Sequence, residues 1–126
     1  MRLLLDTATF LFSIESSHRI SKRAMSHFQD PENTRELSVV SLAEIALKCV
    51  IGKLVITEAD VLKAIADLQL RVLPCTTEHA FELFHLPLLH RDPFDREIIA
   101  QALVENIPVV TPDRQFEQYR GLQVIW

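Results

Sequence analysis

Four acidic residues, Asp6, Glu44, Asp95 and Asp113, each stand where an apolar run gives way to a helix or turn. In an α/β fold such positions gather at one edge of the sheet, where like charges repel unless a cation joins them. Carboxylate oxygens suit hard divalent ions, Mg²⁺ or Mn²⁺, which keep several waters and are held by a few carboxylates plus substrate phosphate oxygens. The chemistry to expect is hydrolysis of a phosphodiester: the ion acidifies an attacking water, and it or a second ion offsets charge on the leaving oxygen.

Each acid also has an ordinary structural reading. Asp6 can cap the helix that follows it. Ser41-Leu42-Ala43-Glu44 fits a capping box, with Glu44 reaching back to the amide of Ser41. Asp92, followed by Pro93 and then Asp95, resembles a capped helix start, and Asp113 after Thr111-Pro112 fits a turn. The joint pattern favours a site. Asp6 follows Leu3 to Leu5, Glu44 follows Val39-Val40, and Asp113 follows Val109-Val110, so three acids share one sheet edge. Ile98, Ile99 and Ala102 lie three, four and seven residues beyond Asp95, which turns Asp95 toward the core side of its helix. An inward carboxylate is costly unless it is paired or ligates a metal.

The elements that must position these residues follow from periodicity. Leu3 to Leu5, Leu37 to Val40, Arg71 to Leu73, Val109 to Thr111 and Val124 to Ile125 read as short strands. Thr7 to Ile14, Ser21 to Asp30, a segment opening at Ser41 and stopped by Gly52, Thr57 to Leu68, Thr77 to Leu86 and Asp95 to Asn106 read as helices. Short apolar strands alternating with helices predict a parallel sheet with helices on both faces.

The bulk numbers fit one domain spanning residues 1–126, long enough to bury roughly two-thirds of the surface of its unfolded chain. With 48% hydrophobic residues, 2 glycines and 6 prolines, the composition leaves no linker or disordered tail. Asp6 interrupts the opening apolar stretch before it can act as a signal peptide, and no run approaches the roughly 20 apolar residues of a membrane span. Cys49 and Cys75 lack metal-ligand spacing and read as buried, reduced thiols, which places the protein in the cytoplasm. A formal charge of −4 excludes a protein that grips nucleic acid mainly by neutralising phosphates. Any nucleic-acid contact must come from a local basic patch or a bound cation.

Lys48, four residues after Glu44, reads as a helix-surface ion pair that could alternatively meet a phosphate. Arg91, Arg96 and Arg114 flank the acids and could guide an RNA strand to them. His18, His27, His79, His85 and His90 show no metal-type spacing, and only His90, beside Arg91 and Asp92, stands near the acids.

The segment His90-Arg91-Asp92-Pro93-Phe94-Asp95-Arg96-Glu97-Ile98-Ile99-Ala100-Gln101-Ala102 closely resembles a signature of PIN-domain proteins, in particular VapC-like toxins of bacterial type II toxin-antitoxin systems. Leu3-Leu4-Leu5-Asp6-Thr7, Ser41 to Lys48, Gly52-Lys53-Leu54, Val110-Thr111-Pro112-Asp113 and Val124-Ile125-Trp126 carry the same likeness in the same order, over essentially the whole chain. The resemblance implies a PIN-like three-layer α/β/α sandwich around a mainly parallel sheet. It also implies a Mg²⁺- or Mn²⁺-dependent endoribonuclease that cuts RNA, dimerises, and is restrained by a cognate antitoxin, with operator DNA bound only through that antitoxin. Asp6, Glu44, Asp95 and Asp113 match the acidic quartet assigned to metal binding and catalysis. Thr7 and Thr111 match supporting polar positions, and Asp92 is an additional acid. Ala8 and Ala43 depart from the histidine and tryptophan that relatives often carry there, without removing a carboxylate.

Two rival readings remain. A PIN-like binding module that has lost hydrolysis would use the fold for association alone. A phosphoryl-accepting receiver would share a strand ending in Asp6 but needs a lysine late in the chain, and the last lysine here is Lys63.

Overall fold

The apolar run that opens the chain becomes the central strand of a five-stranded parallel sheet. In the computed structural model, which describes residues 1–126, β1 (Arg2–Leu5) pairs with β2 (Thr34–Ser38) on one side and β4 (Val109–Val110) on the other. β3 (Arg71–Leu73) and β5 (Val124–Ile125) lie outside them, giving the order β3-β2-β1-β4-β5.

Leu3, Leu4 and Leu5 have no exposed surface, and because successive strand residues point to opposite faces they feed two different cores. Leu3 and Leu5 pack with Phe10 of α1 (Thr7–Glu15), Phe28 of α2 (Lys22–Gln29), Ile45 of α3 (Val39–Val50) and Val61 of α4 (Glu58–Asp67). Leu4 packs with Ile98, Ile99 and Ala102 of α6 (Pro93–Glu105) and with Phe116 and Tyr119. The short α5 (Thr77–Glu82) runs beside α6. The result is the expected three-layer α/β/α sandwich. No helix is long and apolar enough to cross a membrane.

From β1 the chain builds outward to β2 and β3, then returns across the sheet to β4 and β5. The strand order therefore reverses at β1, and the crevice that such a reversal leaves beyond the carboxyl ends of the strands, here β1 and β4, is the place where open α/β sheets put their sites.

Several local expectations change. Val39-Val40 looks like the end of a strand because both residues are β-branched, yet β2 stops at Ser38, whose hydroxyl accepts from the amide of Val40 at 3.0 Å and caps α3. The capping box at Ser41 and Glu44 does not form, since both already lie inside the helix. α5 ends at Glu82 rather than Leu86 because the chain turns there, with the amide of His85 bonded to the carbonyl of Glu82. α6 begins at Pro93, with Asp92 accepting from the amides of Phe94 and Asp95. Cys75 is exposed rather than buried and Cys49 is half-buried; neither forms a disulfide.

Candidate active site

Asp6 leaves the end of β1 directly into the crevice and is almost wholly buried. One carboxylate oxygen accepts from the amide of Thr9 at 2.8 Å, so the capping role is real. The other accepts from the hydroxyl of Thr111 at 2.5 Å, joining the end of β1 to the end of β4. Thr111 in turn takes the amide of Asp113 at 3.0 Å, and Asp113 accepts from the amide of Gln115 to start a short 3-10 turn. Asp113 is thus both a turn residue and a neighbour of Asp6.

Glu44 arrives on α3. Ser41, Glu44 and Lys48 recur at three- and four-residue spacing and so share one helix face. The hydroxyl of Thr7, the residue after Asp6, donates to Glu44 Oε1 at 2.7 Å and lies 2.9 Å from the buried hydroxyl of Ser41. Lys48 Nζ meets Glu44 Oε2 at 2.7 Å. The i,i+4 pair anticipated for the helix surface thus holds a carboxylate whose side chain is only 5% exposed.

Asp95 sits in the first turn of α6. Its side chain is mostly buried, as its spacing from Ile98 and Ile99 predicts, and the structure directs no hydrogen bond to its carboxylate; His90 Nε2 stands 3.8 Å from Oδ2. Burial, with added repulsion from Asp92, Asp6, Glu44 and Asp113, pushes its carboxyl up to about 7. Asp6 is raised as well, first by burial and further by Asp113, while the donors Thr111 and Thr9 pull it back. Lys48 is held above its usual range by its bond to Glu44, with Asp92 and Asp95 adding to the effect. These mutual influences place Asp6, Glu44, Asp92, Asp95 and Asp113 in one electrostatic neighbourhood.

The donor set is all carboxylate and hydroxyl oxygen, which fits Mg²⁺ or Mn²⁺ rather than a softer metal. No three His, Cys, Asp or Glu side chains stand close enough to share one ion directly. The acids therefore form a loose ring, not a closed cage. That suits an ion held by one or two carboxylates with water and substrate oxygens completing its shell. Three surface cavities of about 390, 380 and 360 Å³ lie elsewhere, and none is lined by these acids.

Of the flanking arginines, Arg91 and Arg114 are exposed. Arg96 instead donates to the carbonyls of Leu86 and Pro87, fixing the loop before α6. Residues the sequence reading missed include Ser41, taken for a cap, and Thr9, which ties Asp6 to β4 through its hydroxyl on the carbonyl of Val110. The Ser41-Glu44-Lys48 spacing was the available signal for the first; nothing marked the second.

The PIN domain family model matches residues 3–122. No curated protein sequence matches the chain. Among solved structures, VapBC2 from Rickettsia felis bound to a DNA fragment from its promoter is 21% identical, with a TM-score of 0.76 over 98% of this chain and 97% of that one. DNA-bound VapBC from Salmonella typhimurium is 20% identical, with a TM-score of 0.73 over 98% and 96%. The PIN domain endonuclease Utp24 is 19% identical, with a TM-score of 0.54 over 93% and 74%.

Proposed function

The chain belongs to the PIN domain family, and from that premise we propose that it is a metal-dependent endoribonuclease, the toxin of a bacterial toxin-antitoxin pair. The observation that carries this reading is the group of acids at the ends of β1 and β4, on α3 and on α6, with Asp95 raised by burial and by four neighbouring carboxylates and given no hydrogen-bond donor. Fold-sharing with a PIN domain endonuclease supports hydrolysis of a phosphodiester. Fold-sharing with DNA-bound VapBC complexes supports a cognate antitoxin as partner; operator DNA reached only through it, and a cytoplasmic homodimer of one PIN-like domain, rest on the family resemblance.

Asp6, Glu44, Asp95 and Asp113 would hold Mg²⁺ or Mn²⁺ and orient water, with Asp92 adding negative charge. When bound, such an ion supplies an acidified water and offsets charge on the leaving oxygen. Thr111 and Thr9 fix both oxygens of Asp6, so its direction is set before substrate arrives. Thr7 does the same for one oxygen of Glu44, leaving Lys48 as an exchangeable partner on the other. Lys48 is then the internal cation that a substrate phosphate can draw off Glu44. Arg91 and Arg114 lie exposed to lead the strand inward, whereas Arg96 serves the scaffold.

Two observations favour a silent binding module instead: Lys48 already neutralises Glu44, and no three acids stand within direct reach of one ion. RNA cleavage with and without Mg²⁺, comparing wild type with Asp6→Asn, separates the two. Metal-dependent cutting lost in Asp6→Asn supports the nuclease; no cutting, or equal cutting by both proteins, rejects it.

A further inference from the structure

Resting on the nuclease reading, we infer that His90 is a positioning residue that orients Asp95 through its Nε2 hydrogen, its tautomer set by a relay from Arg96 through Tyr119.

His90 precedes α6 in the chain, and its ring packs between Phe116 at 6.2 Å and Tyr119 at 5.4 Å, the latter edge-on. Its side chain is 8% exposed, so packing alone would explain an aromatic residue here. Packing does not explain the nitrogens. Nδ1 lies 2.6 Å from the hydroxyl of Tyr119, and that hydroxyl is itself approached by Arg96 Nη1 at 3.4 Å. A guanidinium can only donate, so the phenol oxygen accepts on the arginine side and its own hydrogen is free to turn to Nδ1, where we assign it. Nδ1 is then an acceptor, and the hydrogen of a neutral imidazole must sit on Nε2.

That Nε2 is buried without any hydrogen-bond partner, and it points to Asp95 Oδ2 at 3.8 Å. An unpartnered buried donor is costly and uncommon. Its position is what a support residue needs: a closure of about 1 Å turns the contact into a charge-assisted hydrogen bond that fixes which carboxylate oxygen faces the crevice. Contacts of this kind are often long in the free protein and tighten when the site is filled. The loop that carries His90 is braced for the task, since Arg96 also binds the carbonyls of Leu86 and Pro87. Carboxylate supports behind a metal site change its affinity by roughly 10- to 100-fold.

The test is Mn²⁺ binding, followed by electron paramagnetic resonance of the free ion, on the full-length chain. Variants are His90→Gln, whose amide nitrogen reaches the place of Nε2; His90→Asn, which retains a partner for Tyr119 but falls short of Asp95; and Tyr119→Phe. Thermal unfolding in metal-free buffer confirms that each variant folds. Binding weakened about 10-fold or more in His90→Asn, restored in His90→Gln, and unchanged when His90→Asn is added to Asp95→Asn supports the inference. Wild-type binding with equal affinity in His90→Asn overturns it and leaves the nuclease reading intact. Failure of the wild type to bind Mn²⁺ at all sinks both. Should His90→Asn not fold, Tyr119→Phe carries the same decision: an affinity equal to wild type overturns the relay, and a loss supports it.

Discussion

Helix α6 carries a partly exposed acid near each end, and the two ends treat their acids in opposite ways. At its C-terminal end Glu105 accepts from His79 and Arg2, which hold it below the usual carboxylate range, and Arg2 also donates two hydrogen bonds to the buried Glu36 of β2. At its N-terminal end Asp95 accepts no hydrogen bond, with His90 at 3.8 Å, and burial together with repulsion from four other acids pushes it up to about 7. Where a buried carboxylate serves the scaffold, the chain provides its own cation. Where the strands end in the crevice, it provides only neutral hydroxyls and amides, plus one lysine shared with Glu44. On the proposed reading, that shortage of positive charge is what a cation from outside would offset.

The sharpest way to break this contrast is to neutralise the crevice acids. Asp95→Asn is expected to lower metal-dependent RNA cleavage by at least about 100-fold, because the ion's contribution is worth several kcal/mol. The metal-free protein should be at least as stable as wild type, as measured by urea unfolding at pH 8. A destabilised Asp95→Asn would show that this acid serves the scaffold after all.

The reverse change at the other end should do the reverse. Arg2→Met leaves Glu36 buried and unpaired, and we expect a loss of about 2–3 kcal/mol in urea unfolding, toward the low end for a broken buried pair because Arg2 is itself a third exposed. Cleavage per folded molecule should be unchanged.

Lys48→Met sharpens the comparison within the crevice by removing its resident cation. The side chain of Lys48 is 43% exposed, so the expected cost is only about 1 kcal/mol. Stabilisation by added Mg²⁺ should grow, read as a larger rise in Tm than in wild type.

The same contrast can be sharpened with pH. Asp95 starts near 3.8 in the unfolded chain and sits at about 7 when folded, so the stability tied to its protonated form is complete below about 3.8 and is lost as pH rises through 7. Asp6 is shifted the same way. Metal-free protein should therefore melt higher at pH 5.5 than at pH 8, and Asp95→Asn should flatten that slope. Glu105 is shifted down, so its contribution disappears only as pH falls below the carboxylate range and leaves this window untouched.

Much of this arrangement is legible in the chain because apolar runs are local signals. Leu3 to Leu5 and Val109-Val110 announce buried parallel strands, and the acids that follow them land at the sheet edge as that pattern requires. The inward turn of Asp95 follows from Ile98 and Ile99 alone. What stays hidden depends on single hydrogen bonds between residues far apart in sequence. Val39-Val40 reads as strand by its β-branched side chains, and only the hydroxyl of Ser38 converts it to a helix start. His90 and Tyr119 are 29 residues apart, and Arg96 looks like an RNA contact until its carbonyl partners are seen. The balance of cations between the two ends of α6 has no sequence signature, because it depends on which residues the fold brings to Glu36 and Glu105.

The most direct measurement is the melting temperature at pH 8 as Mg²⁺ or Mn²⁺ is added to wild type, Asp95→Asn and Arg2→Met. A cation-hungry crevice predicts a concentration-dependent rise in wild type and in Arg2→Met, and little or none in Asp95→Asn. A wild type that ignores both ions, or an Asp95→Asn that responds just as strongly, would contradict it.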